Sequence, residues 1–123
     1  MYATRIGLAA ILSACSVTQA ATVDKKTWMD GMATAIPTLF CAPKQYFRQC
    51  FKVSAAECED TSASAVRVCL NKHKDQIPEM LNQPQDGQRL GNTIGTCAGT
   101  TYEIALSKKR ISDPKCNDPN AWR

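Results

Sequence analysis

Apolar residues recur at helical spacing along most of the chain after residue 24, and no run shows the alternation of a half-buried strand. We therefore predict helices nearly throughout. The first begins with Asp24 as N-cap, and Pro37 predicts a kink or break near Ile36. Its apolar face is formed by Trp28, Met32, Ala35, Ile36, Leu39 and Phe40.

Two further helices follow a turn at Ala42–Pro43. The apolar face of the second holds Tyr46, Phe47, Cys50 and Phe51. The third has the clearest start signal in the sequence, because Ser54 and Glu57 have the spacing of a capping box. We expect this helix to run to about Lys74 and to bury Cys58, Ala65, Val66 and Cys69.

A proline-rich break, with one helical turn at 78–82, separates the third helix from a fourth that we expect from about Gln88 to Lys109. On a helical wheel the core-facing residues of this fourth helix are Leu90, Ile94, Cys97, Thr101 and Ile104. The C-terminal segment after Lys109 carries two Asp-Pro turns and predicts an irregular tail.

Four glycines recur at every fourth position beside the core-facing residues of the fourth helix: Gly87, Gly91, Gly95 and Gly99. Because glycine disfavours helix interiors, we predict that these positions let a neighbouring helix pack closely inside the domain. An open groove for a partner and a non-helical local structure are the alternatives. A membrane-dimerising helix is excluded because polar residues, among them Arg89 and Asn92, interrupt the segment.

The cysteine count predicts disulfides. Seven cysteines are present, and six of them lie after residue 20: Cys41, Cys50, Cys58, Cys69, Cys97 and Cys116. An even set in a small exported chain predicts three disulfides, whereas a metal site would need closer cysteine pairs or more than one histidine. The predicted fold class is all-α, a small bundle of about four helices stapled by three disulfides, with the irregular tail.

Fifteen pairings of six cysteines exist. The turn before Ser54 predicts an antiparallel helix pair joined by Cys50–Cys58 and Cys41–Cys69. The tail would then be held by Cys97–Cys116.

The N-terminus has the pattern of a secretory signal peptide, with Arg5 followed by an apolar run too short to span a bilayer. Two cleavage sites compete. Cleavage after Ala20 makes residues 1–20 the signal peptide and residues 21–123 one domain. The alternative is a lipoprotein signal over residues 1–14 with Cys15 acylated, which would anchor the protein to the outer membrane. Both place the protein in the periplasm or outside the cell.

Charge and motifs indicate little chemistry. The full chain has a net charge of +4, and removal of Arg5 leaves about +3. The short basic clusters and the export signal argue against a nucleic-acid partner, and the membrane would be contacted only through a lipid at Cys15. We found no motif for a catalytic residue, a cofactor or a metal.

The leading hypothesis is a non-enzymatic, exported domain that binds another exported or envelope protein, such as a periplasmic inhibitor or immunity protein. The candidate interface residues are Tyr46, Trp122 and Arg123, because tyrosine, tryptophan and arginine are enriched at interface hot spots. A lipid-anchored accessory factor of an envelope secretion or assembly machine, similar to a pilotin or chaperone, is the alternative.

Two further classes make separate structural predictions. A carrier of small ligands or lipids predicts an interior pocket lined by Met32, Ile36, Phe47, Ile94 and Ile104. A small secreted hydrolase predicts His73 or Glu57 in a cleft, with a shifted pKa.

Overall fold

The computed structural model describes residues 21–123 of the 123-residue chain. The predictions of a signal peptide and of acylation at Cys15 fall outside the described residues. Within them the predicted fold class is confirmed: a mostly helical chain with three disulfides and little strand. The helices are α1 (Lys25–Phe40), α2 (Tyr46–Gln49), α3 (Ala55–His73) and α4 (Gln85–Ala105).

Side-chain caps explain where the two long N-terminal helices begin. Asp24 precedes α1, and its carboxylate accepts hydrogen bonds from the backbone N–H and the hydroxyl of Thr27, both at 2.8 Å. Ser54 precedes α3, and its hydroxyl accepts from the N–H of Glu57 at 3.1 Å. This bond is one half of the expected capping box. The Glu57 carboxylate, which would form the other half, pairs with Lys109.

The expected break at Pro37 does not occur. Helix α1 continues through Pro37 to Phe40, and the Cys41 N–H donates to the Pro37 carbonyl at 3.1 Å. Pro37 has no backbone N–H and cannot donate a helical hydrogen bond. Because Pro37 lies in the last turn and the helix ends three residues later, this missing bond does not interrupt the body of the helix. The proline ring is instead buried against the core.

Two short strands were missed by the sequence analysis. Strand β1 (Thr22–Asp24) pairs antiparallel with β2 (Met80–Asn82), with Val23 opposite Leu81. The helical turn expected at 78–82 is therefore wrong. Three residues are too few for an alternating pattern, and of β2 only Leu81 is buried.

Helix α3 lies between α1 and α4 and packs against both. One buried cluster, here called the aliphatic cluster, fills the space between the long helices and the strands: Trp28, Ile36, Ala65, Val66, Cys69, Leu70, Ile77, Leu81, Leu90, Ile94 and Ala98. A second, the aromatic cluster, lies where α1 ends and α3 begins: Cys41, Cys50, Phe51, Cys58, Tyr102, Leu106 and Cys116.

The disulfides are Cys41–Cys58, Cys50–Cys116 and Cys69–Cys97, so none of the three expected pairs forms. Antiparallel packing of α1 and α3 explains the first pair. Cys41 ends α1 and Cys58 lies in the first turn of α3, whereas Cys69 lies 11 residues, or about 16 Å, further along α3. Cys69 therefore meets α4, and Cys50 is left to hold the tail.

The core-facing stripe of α4 is rotated from the expected one. Buried positions recur at every fourth residue: Leu90, Ile94, Ala98, Tyr102 and, just after the helix, Leu106. Ile104, expected in the core, is 71% exposed. Tyr102 takes the inward position because its ring fills the aromatic cluster while its hydroxyl donates to the Phe47 carbonyl at 2.8 Å.

The four glycines of α4 do not share one role. A Cβ at Gly99 would lie 3.1 Å from the Phe47 ring, a close approach that favours glycine. A Cβ at Gly91 or Gly95 would meet no atom within 4 Å, so the predicted close packing is wrong at these two positions. At Gly87 the neighbour is the flexible end of the Gln83 side chain, which accepts a hydrogen bond from the Gly87 N–H.

Candidate binding groove at the C-terminal tail

Two of the three predicted interface residues, Tyr46 and Trp122, lie together on one surface groove with a volume of about 630 Å³. We call it the tail groove, because residues 111–123, the tail, form one wall. Arg123 is exposed beside Trp122 at the end of the chain and is not part of the lining. The residues on which the groove's chemistry depends are Leu39, Phe40, Tyr46, Glu103, Arg110 and Trp122.

The tail is fixed to the helices at several points. Backbone pairing brings it beside the segment after α2, with the Ile111 N–H donating to the Cys50 carbonyl at 2.8 Å. The Cys50–Cys116 disulfide then closes the loop. Within the tail, the Asp113 carboxylate accepts from the Cys116 N–H at 2.6 Å. The groove therefore has a covalently anchored wall.

A hydrogen-bonded chain of three side chains crosses the groove. Arg110 Nε donates to the Tyr46 hydroxyl at 3.0 Å, and that hydroxyl donates to Glu103 Oε1 at 2.6 Å. Burial raises the pKa of Tyr46, the bond to Glu103 raises it further, and Arg110 opposes both effects. The tyrosine thus remains a neutral donor at physiological pH.

Arg110 also holds the tail in place. Its guanidinium donates to the Cys116 carbonyl at 2.7 Å and to the Ile111 carbonyl. It lies 5.3 Å from the Tyr46 ring centre, in reach of a cation–π contact. With these partners Arg110 acts as a fixed part of the wall.

Aromatic rings give the groove its apolar surface. Phe40 stacks on Phe47 with ring centres 4.2 Å apart, and Tyr46 meets Trp122 edge to face at 5.7 Å. The Trp122 indole N–H donates to the Lys115 carbonyl at 3.0 Å, and the Lys115 ammonium lies 4.4 Å above the indole ring. Trp122 is therefore oriented by the tail and remains partly exposed.

Tyr102 supports the groove from below. Its side chain is fully buried against Phe47 and Phe51. Burial raises the pKa of Tyr102 to about 12, with a smaller contribution from the Glu57 charge. Its hydroxyl is therefore protonated at every physiological pH and keeps its bond to the Phe47 carbonyl.

Two groove residues, Glu103 and Arg110, were not expected from the sequence, nor was Lys115, which lies over Trp122. Arg110 follows Lys108 and Lys109 in one of the short basic clusters, a pattern typical of solvated charge near a helix end. Its partner Tyr46 lies 64 residues away in the sequence. No local pattern reports such a pairing, and only the correct pairing of Cys50 with Cys116 would have pointed to it.

His73 and Glu57, the alternative candidates for a hydrolase site, lie apart on α3. His73, the last residue of α3, lies 3.3 Å from the Gln76 side chain and lines an open depression of about 690 Å³ with Lys72 and threonines of α4. Glu57 lies 16 residues earlier on α3, about 24 Å away. The structure thus places these two residues at opposite ends of the bundle.

The five residues expected around an interior pocket do not line one cavity. Ile36 and Ile94 belong to the aliphatic cluster and Met32 packs against it, whereas Phe47 packs on the aromatic cluster and Ile104 faces solvent. Over residues 21–123, no three His, Cys, Asp or Glu side chains are grouped so as to hold a metal ion. No helix in the same range is long and apolar enough to cross a membrane.

These features define a class: a small all-α domain stapled by disulfides, of the kind found in exported proteins. The family model described as T2SS substrate NttA matches residues 22–110, well over half of the chain. The chain therefore belongs to this family of type II secretion substrates, and it is an exported protein that passes through the periplasm to the outside of the cell. No curated protein and no solved structure matched the chain.

The family match also divides the groove. Leu39, Tyr46, Glu103 and Arg110 lie inside the matched range, whereas the tail, with Cys116 and Trp122, lies beyond it. The groove is thus built from both parts of the chain.

Proposed function

We propose that the exported domain acts by binding another protein rather than by catalysis, and that the tail groove is its recognition surface. Membership in the family indicates how the protein is exported, and the groove is the proposed binding site. The observation that carries the proposal is the joint exposure of tyrosine, tryptophan and leucine side chains around a fixed arginine.

The composition of the groove is that of a protein interface. Tyr46 and Trp122 are partly exposed, and Leu39 at the rim is 66% exposed. Aromatic residues and arginine provide most binding energy at protein interfaces, and exposed apolar side chains beside polar groups mark such surfaces. Each of these side chains has an apolar body available to a partner.

The groove is also preorganised. The Cys50–Cys116 disulfide and the hydrogen bonds of Arg110 fix the tail before any partner arrives. A rigid surface loses little conformational entropy on association, so more of the contact energy appears as affinity. Stable clamping suits a protein that must work in the extracellular medium.

Two roles fit this description. An inhibitor-like role would block a protein outside the cell, and membership in a family of secretion substrates supports it. The lipid-anchored accessory role receives less support, since the substrate is carried outward by the secretion system. We propose the first.

A matched pair of charge insertions tests the proposal. Leu39→Asp places a carboxylate at the rim of the groove, and Val68→Asp does the same at a 58% exposed position on α3 outside the groove. Both sites are exposed on long helices, so both variants should fold with wild-type circular dichroism. The mature proteins are immobilised and exposed to culture fluid and envelope extracts of the producing cells.

We expect wild type and Val68→Asp to retain the same protein and Leu39→Asp to lose it at least tenfold, measured by quantitative mass spectrometry. Equal retention by both variants contradicts the proposal. Recovery of a bound lipid and no protein would replace it with the carrier function.

A further inference from the structure

We propose that the partner segment received by the tail groove is an acidic stretch of polypeptide that carries an apolar side chain. This inference rests on the proposed function and specifies the chemistry of its partner. The apolar side chain would occupy the space between Phe40, Tyr46 and Trp122, and the acidic groups would lie along the tail.

The distribution of charge supports an acidic partner. Residues 21–103 carry nine Lys or Arg and nine Asp or Glu, so this part has no net side-chain charge. Residues 104–123 carry five basic and two acidic residues. The entire positive excess of the mature domain is thus concentrated in the segment that leads into and forms the tail wall. Such a field attracts and orients an anionic partner.

The two acidic residues of the tail are committed to its backbone. The Asp113 carboxylate accepts from the Cys116 N–H, and the Asp118 carboxylate accepts from the Asn120 N–H at 2.9 Å. The cations differ. Lys115 lies over the partly exposed Trp122 ring, and Arg123 is exposed and follows Trp122 in the sequence. The rim of the groove near Trp122 therefore offers positive charge to a partner.

Glu103 is the one acidic side chain in the groove lining. Its Oε1 accepts from Tyr46, which is in turn bonded to Arg110. The fixed Arg110 charge lies one hydrogen bond beyond that tyrosine and offsets Glu103. The carboxylates of a partner are thus expected at the Lys115 and Arg123 side, away from Glu103.

A protein segment fits this surface better than a lipid membrane does. Membrane-surface binding needs an extended apolar face that enters the interface by several ångströms. The tail groove is concave, and its apolar rings lie between two walls. A groove of about 630 Å³ receives a few side chains of a polypeptide.

The test uses three fluorescently labelled synthetic peptides with the same Leu and Phe positions, in which the other residues are Asp and Glu, Lys, or Ser. Vesicles with 30% anionic lipid are the fourth probe. Binding to the mature domain is measured by fluorescence anisotropy for the peptides and by cosedimentation for the vesicles, at 50 and at 300 mM salt.

We expect the acidic peptide to bind at least tenfold more tightly than the lysine peptide and to lose affinity at high salt. The double variant Lys115→Gln/Arg123→Gln should weaken it several-fold. The control Lys74→Gln removes an exposed charge just after α3, at the other end of the bundle, and should leave affinity unchanged.

Three results overturn the inference: equal binding of the three peptides, no binding of any of them, or binding of vesicles alone. None of these results alters the comparison of Leu39→Asp with Val68→Asp. If a partner is captured through the groove and its binding does not depend on Lys115 and Arg123, the proposed function stands and only the inference of an acidic partner is wrong.

Discussion

The aliphatic and aromatic clusters of this domain are built in different ways. The aliphatic cluster joins three long helices and the small sheet, and it contains one disulfide, Cys69–Cys97. The aromatic cluster joins the ends of helices to irregular segments, and the other two disulfides lie in it. The tail groove lies beside the aromatic cluster.

This difference separates the stabilising core from the proposed recognition surface. Long helices bury a continuous stripe of side chains between them. Where the helices end, short segments supply aromatic rings that are only partly covered, and covalent links replace the missing helical contacts. The region that is hardest to stabilise by packing alone is therefore the one that can present a fixed binding surface.

The largest expected effects come from removing disulfides. Cys50 and Cys116 are 66 residues apart and Cys69 and Cys97 are 28 apart. By loop entropy, the double alanine variants should lower the free energy of unfolding by about 4 and about 3.5 kcal/mol respectively. Urea unfolding measures both. Only loss of Cys50–Cys116 should also shift the fluorescence of Trp122 to longer wavelength, and an equal shift in both variants would show that the tail does not depend on its own disulfide.

A cavity in the aliphatic cluster should have the next largest effect. Ile94 is fully buried, so Ile94→Ala should cost about 3 kcal/mol in urea unfolding. Because Ile94 lies outside the groove lining, peptide binding should stay at the wild-type level under conditions where the variant is folded. Loss of binding in the folded variant would mean that the two clusters are coupled.

Tyr102→Phe should produce a smaller effect that depends on pH. At pH 7 the variant loses the hydrogen bond to the Phe47 carbonyl, worth about 1 kcal/mol. The folded pKa of Tyr102, about 12, lies above the value of about 10 in the unfolded chain. The phenol therefore ionises first in the unfolded chain, and the wild type loses stability progressively between pH 10 and pH 12, by an amount set by the difference between the two pKa values.

Alkaline denaturation checks this prediction. The free energy of unfolding should fall more steeply from pH 10 to pH 12 in wild type than in Tyr102→Phe, by roughly 2 kcal/mol. Parallel curves for the two proteins would show that Tyr102 titrates normally in the fold.

The smallest expected effects distinguish the glycines of α4. Gly95→Ala should stabilise the domain by about 0.5–1 kcal/mol, because the position is open and alanine favours the helix. Gly99→Ala should gain less or destabilise, because its methyl group would meet Phe47. Thermal unfolding of the two variants decides this, and an equal gain at both sites would show that Phe47 moves freely.

The helices were predictable because each has a local signal. Asp24 and Ser54 cap their helices as expected, and the apolar spacing identified α1, α3 and α4. The rotation of α4 was not predictable, since Ile104 and Tyr102 are both apolar enough for the core and only the aromatic cluster selects between them.

The groove was predictable only in part. Tyr46 and Trp122 were candidates by residue type, and the structure brings them within contact. Arg110 and Glu103 could not be found, because their roles depend on contacts across more than 50 residues. The disulfide pairing failed for the same reason: it follows from how helices pack, which spacing alone does not determine.

In the proposed function, the anchored tail makes the binding surface. The most direct measurement compares how tightly two variants, Cys50→Ala/Cys116→Ala and Cys69→Ala/Cys97→Ala, bind the protein captured by the wild type. It is made at a temperature where circular dichroism shows both variants to be helical. We expect the first variant to lose affinity at least tenfold and the second to keep it. Wild-type affinity in the first variant, with its tail released, would contradict the role proposed for the tail.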